Sequence, residues 1–251
     1  MAVSAATLRG RLRSTTNQST AYTTNSTAMG ANHLALAFIA VSQSSDFDLT
    51  SVTGYGVTWE DVSATFSECK RLWKSGTNGM KCHVWAALTG AGTGSGALSV
   101  DPAGSAIGMN ITVVEITGDF SGASSALDAI LQHDGENETT EVAATSRTPS
   151  LPSAPDSDSR TFGYWGMNTT GNVTFDGDWT SIDNGSHSTP SHGMGVAWRS
   201  DAADQTATGS WGSSVLCYGL LLEIAEVPGA TTVAPQFVVP DRSIYPGLTS
   251  L

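Results

Sequence analysis

The longest uninterrupted apolar run in the chain, Leu34-Ala35-Leu36-Ala37-Phe38-Ile39-Ala40-Val41, is only eight residues long. That is too short to cross a membrane as a helix. Its large and small side chains alternate, with Leu34, Leu36 and Phe38 on one side and Ala35, Ala37 and Ile39 on the other, which predicts a strand buried on both faces. The same rhythm recurs downstream. Val57-Thr58-Trp59, Arg71 to Lys74, Cys82 to Leu88, Ala97 to Val100, Met109 to Ile116, Thr161 to Met167, Val173 to Phe175, Gly193 to Arg199 and Val215 to Ile224 read as short strands between turns rich in Gly, Ser, Asn and Asp.

Composition narrows the class. The chain holds 32 Ser, 31 Thr and 27 Gly, while charged residues make up only 14%. A helical bundle would need far more Glu, Lys, Arg and Leu on its exposed faces. The pattern predicts an all-β protein, an antiparallel β-sandwich of jelly-roll type over residues 30–226, with extended terminal arms. Residues 1–29 read as an N-terminal arm and first strand. Ser124 to Leu131 reads as a short helical turn or irregular crossing, and Gln132 to Pro155 as a long surface excursion joining two halves of one sandwich. No repeat of 20 to 50 residues is visible. Residues 227–251 carry four of the nine prolines and so form neither a helix nor a central strand.

Eleven basic against 23 acidic residues give a net charge of −12, so no nucleic-acid partner is expected. The local exception is Arg9-Gly10-Arg11-Leu12-Arg13, a basic arm suited to docking on an acidic surface. The first 30 residues lack the apolar segment of a signal peptide, and no membrane partner is expected. Of three cysteines, Cys217 lies in an apolar strand as a small hydrophobe. A Cys69–Cys82 disulfide is compatible with the spacing but not deducible from it.

No constellation announces a reaction. Glycoside hydrolysis needs two neighbouring carboxylates, but Glu115 and Glu223 are each the single acid of their strand, where exposed alternation accounts for them. No G-x-S-x-G elbow occurs, and His187 and His192 fall in what reads as a polar loop. The acidic pairs Asp156/Asp158 and Asp176/Asp178 and the cluster Asp134/Glu136/Glu138 match no calcium loop. The reading is therefore no enzyme, no cofactor and no metal. Among seven tryptophans, Trp179 and Trp211 have the sequence surroundings of exposed rings and are the candidate sugar-stacking pair.

The succession Val52-Thr53-Gly54-Tyr55-Gly56-Val57-Thr58-Trp59, Leu72-Trp73, Val84-Trp85-Ala86-Ala87-Leu88-Thr89-Gly90, Val113-Val114-Glu115-Ile116-Thr117-Gly118 and Leu220-Leu221-Leu222-Glu223-Ile224 resembles jelly-roll modules of tailed-bacteriophage virion proteins and of some bacterial surface proteins. The resemblance covers roughly residues 30 to 226 and brings no catalytic residues with it. It implies a virion structural protein, foremost a capsid decoration or cement protein on the particle exterior, made in the host cytoplasm. Its partners would be the major capsid protein or other virion subunits, and it would form a homo-oligomer, with a trimer expected. Partner contacts would fall to Arg9, Arg11 and Arg13 and to the tail anchors Phe237, Val239, Ile244 and Tyr245. The alternative is a carbohydrate-binding module of a phage tail or bacterial surface protein, using Trp179 and Trp211.

Overall fold

The computed structural model describes residues 3–43, 56–59, 67–73, 80–89, 94–102, 106–136, 143–189, 191–201 and 204–229. The protein is all-β over these residues, and every strand pairing is antiparallel. The first half of the chain holds β1 (Ala5–Ser14), β2 (Tyr22–Thr23), β3 (Thr27–Met29), β4 (Leu34–Gln43), β5 (Gly56–Trp59), β6 (Ser67–Trp73), β7 (Met80–Leu88), β8 (Gly94–Gly96), β9 (Leu98–Asp101) and β10 (Ala106–Thr117). The second holds β11 (Ile130–Glu136), β12 (Ala143–Arg147), β13 (Arg160–Met167), β14 (Thr174–Phe175), β15 (Thr180–Ser188), β16 (Ser191–Trp198) and β17 (Gly209–Ile224).

Two large sheets divide the chain at its middle. One runs β1-β10-β4-β7-β6 and the other β11-β17-β13-β16-β15. The crossing between them, residues 118–129, contains a 3-10 turn at Ala126–Ala129, started by a capping box in which Ser125 and Asp128 exchange hydrogen bonds with each other's backbone.

The two halves share one strand order. In the first, a small sheet β2-β9-β5 accompanies the large one. In the second, the opening part of β17, residues 209–216, takes the place of β9 by pairing with β12 and β14, while its remainder pairs with β11 and β13. With the β3–β8 ribbon set aside, strands numbered in chain order within either half run 1-8-3-6-5 in the large sheet and 2-7-4 in the small one. The register extends the equivalence to residues. Phe38 lies opposite Thr112 and Ala35 opposite Glu115, just as Tyr164 lies opposite Leu220 and Thr161 opposite Glu223.

Three apolar clusters follow from this layering. The central one lies between the large sheets and takes Leu34, Leu36, Phe38, Val84 and Ile116 from one and Phe162, Tyr164, Val196, Leu220, Leu222 and Ile224 from the other. The outer face of the first sheet, with Ala35, Ala37, Ile39, Ile111 and Val113, packs on Tyr22, Leu98 and Val100. The outer face of the second, with Trp165, Met167, Ala197 and Leu221, packs on Leu151, Val173, Trp179 and Trp211. Both sheets are thus covered on both faces, which is why Leu34 to Val41 shows no polar alternation. Close packing also dictates glycine: a Cβ on Gly166 would collide with Tyr218 Oη on the neighbouring strand.

Several sequence expectations change. Residues 132–155 are no surface excursion, because they carry β11 and β12. Of the arm and first strand expected over residues 1–29, Ala5–Ser14 form strand β1 on the edge of the first sheet, and β2 and β3 follow it. His187 and His192 belong to the β15–β16 hairpin, where they pair across the strands, and not to an open loop.

Candidate functional site

The arginines of β1 meet carboxylates of their own chain. A β-bulge between Leu8 and Gly10 leaves Arg9 outside the ladder. Its Nε donates to Glu115 Oε2 at 2.5 Å. Arg13 Nη2 donates to Asp183 Oδ2 at 2.5 Å, and Arg11 Nη1 to Asp183 Oδ1 at 3.4 Å. Asp183 lies on β15 of the other half, is buried, and also accepts from Thr112 Oγ1 on β10. Burial lowers the Arg13 pKa, and the attraction of Asp183 opposes that shift. The pair therefore bolts the two sheets together, and the expected docking arm is largely committed to its own fold. Arg11, more than half exposed, is the least committed of the three.

Glu115 and Glu223 are buried, at 1% and 2% exposure, and not the exposed strand acids expected. The two sites repeat one design. Glu115 accepts from Arg9 Nε on the first strand, from Gly30 N, and pairs with His33 Nδ1 at 2.7 Å just ahead of β4. Glu223 accepts from Gln132 Nε2 on the first strand of its half, from Asp156 N, and from Ser159 Oγ just ahead of β13. His33 and Ser159 hold the same position, and Gly30 and Asp156 each lie three residues before it. At Glu115, burial raises the pKa, but the Gly30 amide, His33 and Arg9 outweigh it and hold the carboxyl below its ordinary value. Each glutamate ties the first, third and last strands of its half together. None of these partners is a second carboxylate.

A polar seam runs through the central core. His192 Nδ1 lies 3.2 Å from Ser42 Oγ, its Nε2 3.3 Å from Tyr218 Oη, and Tyr218 Oη 3.5 Å from Tyr164 Oη. Asn110 Nδ2 donates to the His192 carbonyl, and the rings of His187 and His192 are 5.8 Å apart. Burial, then the neighbouring His187 and Arg13, push His192 down to about 3, so the imidazole is neutral. The Cys82 thiol reaches the same two tyrosines and forms no disulfide. Burial raises its pKa far above the ordinary thiol value, which holds it protonated and a poor nucleophile. The Cys69 side chain lies outside the described residues.

Trp179 and Trp211, expected to be exposed, are buried at 8% and 7%. Trp179 meets Trp165 edge to face with centroids 5.8 Å apart, and Trp211 Nε1 donates to the Ala144 carbonyl at 2.9 Å. Neither presents a ring face for stacking on a sugar. Asp178, with Asp201 and Asp204, surrounds Arg199 at 3.0 to 3.4 Å. Asp176 accepts from Thr208 N. Of the tail, Val227 is clamped to the 118–129 crossing through Gly122 N and Asp119 O, and Gly229 N donates to Ser121 Oγ. Phe237, Val239, Ile244 and Tyr245 lie outside the described residues, as does Glu138.

Asp183, Thr112, Gln132, His33 and Ser159 were not singled out by sequence reading. The available signal was the shared ending Val-Val-Glu-Ile and Leu-Leu-Glu-Ile of the strands around Glu115 and Glu223. No family model, no curated protein and no solved structure matches this chain.

Proposed function

We propose that this chain is a structural protein of a virion, foremost a capsid decoration or cement protein, built from two jelly rolls in tandem. The observation that carries the reading is the strand order repeated in both halves. The arrangement 1-8-3-6-5 over 2-7-4 differs from the 1-8-3-6 over 2-7-4-5 of two Greek keys folded into a double sheet only in the fifth strand, which pairs in the large sheet. The sequence resemblance pointed to one such module over residues 30–226. Two fit the pairing better, one on either side of the crossing.

The chemistry of the interior supports an architectural role. The buried carboxylates Glu115 and Asp183 are engaged by Arg9 and Arg13, the Cys82 thiol is held protonated, and the His192 imidazole is neutral. The tryptophan pair on which the carbohydrate-binding alternative depended is buried, so no specific observation favours that reading. In the proposed role the partners are the major capsid protein or other subunits on the particle exterior, and the protein acts as a homo-oligomer, with a trimer as the expected state. The tail residues Phe237, Val239, Ile244 and Tyr245 serve as apolar anchors. Added contacts that bind only the assembled shell stabilise it by mass action.

Antibody labelling of purified particles tests the reading. Label on the outer shell supports it, whereas protein found only free in the lysate overturns it. Removal of residues 230–251 separates the parts of the proposal: the remaining chain is expected to fold but to lose occupancy on particles.

A further inference from the structure

We infer that the edge of β1 carries a receptor groove for a carboxylate group presented by an acidic peptide segment of a neighbouring subunit. The groove has a volume of about 190 Å³ and is lined by Leu8, Arg9, Gly10, Arg11 and Asn25. Three of its lining side chains, Arg9, Arg11 and Asn25, carry hydrogen-bond donors. Arg9 uses Nε on Glu115, which leaves Nη1 and Nη2 without a hydrogen bond among the described residues. Arg11 uses only Nη1, in the long contact to Asp183, and Asn25 turns Oδ1 to the Arg11 amide, which leaves its Nδ2 to donate elsewhere.

Three features favour a carboxylate on a peptide. Guanidinium forks match the two coplanar oxygens of a carboxylate. Leu8 offers an apolar wall to the methylenes of an Asp or Glu side chain. The first half of the chain, residues 1–117, is also electrically neutral, with seven basic and seven acidic residues, so the whole net charge of −12 resides beyond it. An acidic segment therefore meets no net repulsion on this half. Arg13 is outside the groove, held by Asp183 at 16% side-chain exposure.

The inference rests on the assembly reading for why such a segment would be met, but its test is separate. Full-length protein is titrated with a tetra-aspartate peptide and, in parallel, with inorganic phosphate, while amide NMR signals are followed. The expected result is saturable, salt-sensitive peptide binding that shifts residues 8–11 and 25. Asn25→Asp keeps the acceptor for the Arg11 amide but replaces the Nδ2 donor with a negative oxygen, and Arg11→Gln removes the freest charge. Each is expected to weaken peptide binding about tenfold or more with an unchanged thermal midpoint. Absence of saturable binding, tighter binding of phosphate than of peptide, or full affinity in both variants would each overturn the inference. Loss of particle labelling with an intact groove would instead count against the assembly reading alone.

Discussion

Phe38 and Tyr164 occupy equivalent positions in the two halves of the chain, and their rings meet in the central core with centroids 5.3 Å apart. A residue that touches its own equivalent lies on an axis relating the two copies, as in the self-complementary interface of a twofold dimer. The sheet edges agree. The first strand of one sheet, β1, packs beside β15 of the other, and β6 packs beside the turn that leads into β11. The two halves thus bury their large sheets against each other about an approximate twofold inside one chain.

Truncation at this axis is expected to cost more than a single cavity of the same size elsewhere, because both sheets lose a contact. Phe38→Ala and Tyr164→Ala should each destabilise by about 3–5 kcal/mol. The double variant should fall short of the sum by about 0.5–1.5 kcal/mol, the share belonging to the ring pair. Urea unfolding of the four proteins measures the cycle. Strict additivity would show that the rings do not couple.

Asp183→Asn should be the most damaging change among the charged groups of the sheet-to-sheet bolt. It leaves the Arg13 guanidinium buried without its counter-charge, at a cost of about 3–5 kcal/mol. Arg11→Ser, which removes a long and largely exposed contact to the same carboxylate, should cost no more than about 1 kcal/mol. Chemical denaturation ranks the two, and a reversed order would mean that Arg11, not Arg13, holds Asp183.

The alternation in Leu34 to Val41 and in Val215 to Ile224 was enough to place strands and an all-β core, because burial on both faces is written directly into such runs. The duplication was not legible. Equivalent positions pair unlike residues, such as Phe38 with Tyr164 and His33 with Ser159, and the turn lengths differ, so register relates the halves where sequence does not. The fate of the arginines was hidden for a related reason. Arg13 and Asp183 are 170 residues apart, and only the crossing brings their strands together. Trp179 and Trp211 misled because flanking Asp, Ser and Gly residues suggested exposed turns, yet those segments fold back over the outer face of the second sheet.

Cys82 should resist thiol reagents in the native state. In a Cys69→Ser, Cys217→Ala background, a chromogenic disulfide reagent is expected to modify residue 82 only at the rate of global unfolding, since the thiol is buried and held protonated. Fast modification under native conditions would show that the seam opens locally.

Acid should unfold the protein in two distinguishable windows. His192 has a folded pKa near 3, below the ordinary histidine value of about 6.5, so between these limits the unfolded chain binds the extra proton. Stability therefore falls as pH drops through this range, by up to about 1.4 kcal/mol for each pH unit. Glu115 acts later. Its folded pKa is depressed, so its contribution is complete above the unfolded carboxyl value of about 4.3 and is lost as pH falls through the folded one. His192→Gln should flatten the loss between about pH 6.5 and 4.5 and leave the steeper loss below it, whereas Glu115→Gln should be less stable at pH 7 by about 1–3 kcal/mol and converge on the parent in acid. Urea midpoints measured from pH 7.5 to 3 decide the matter. An unchanged slope above pH 4.5 in His192→Gln would mean that this imidazole is protonated within the fold, and the buried Ser42–His192–Tyr218 seam would then have to accommodate a cation.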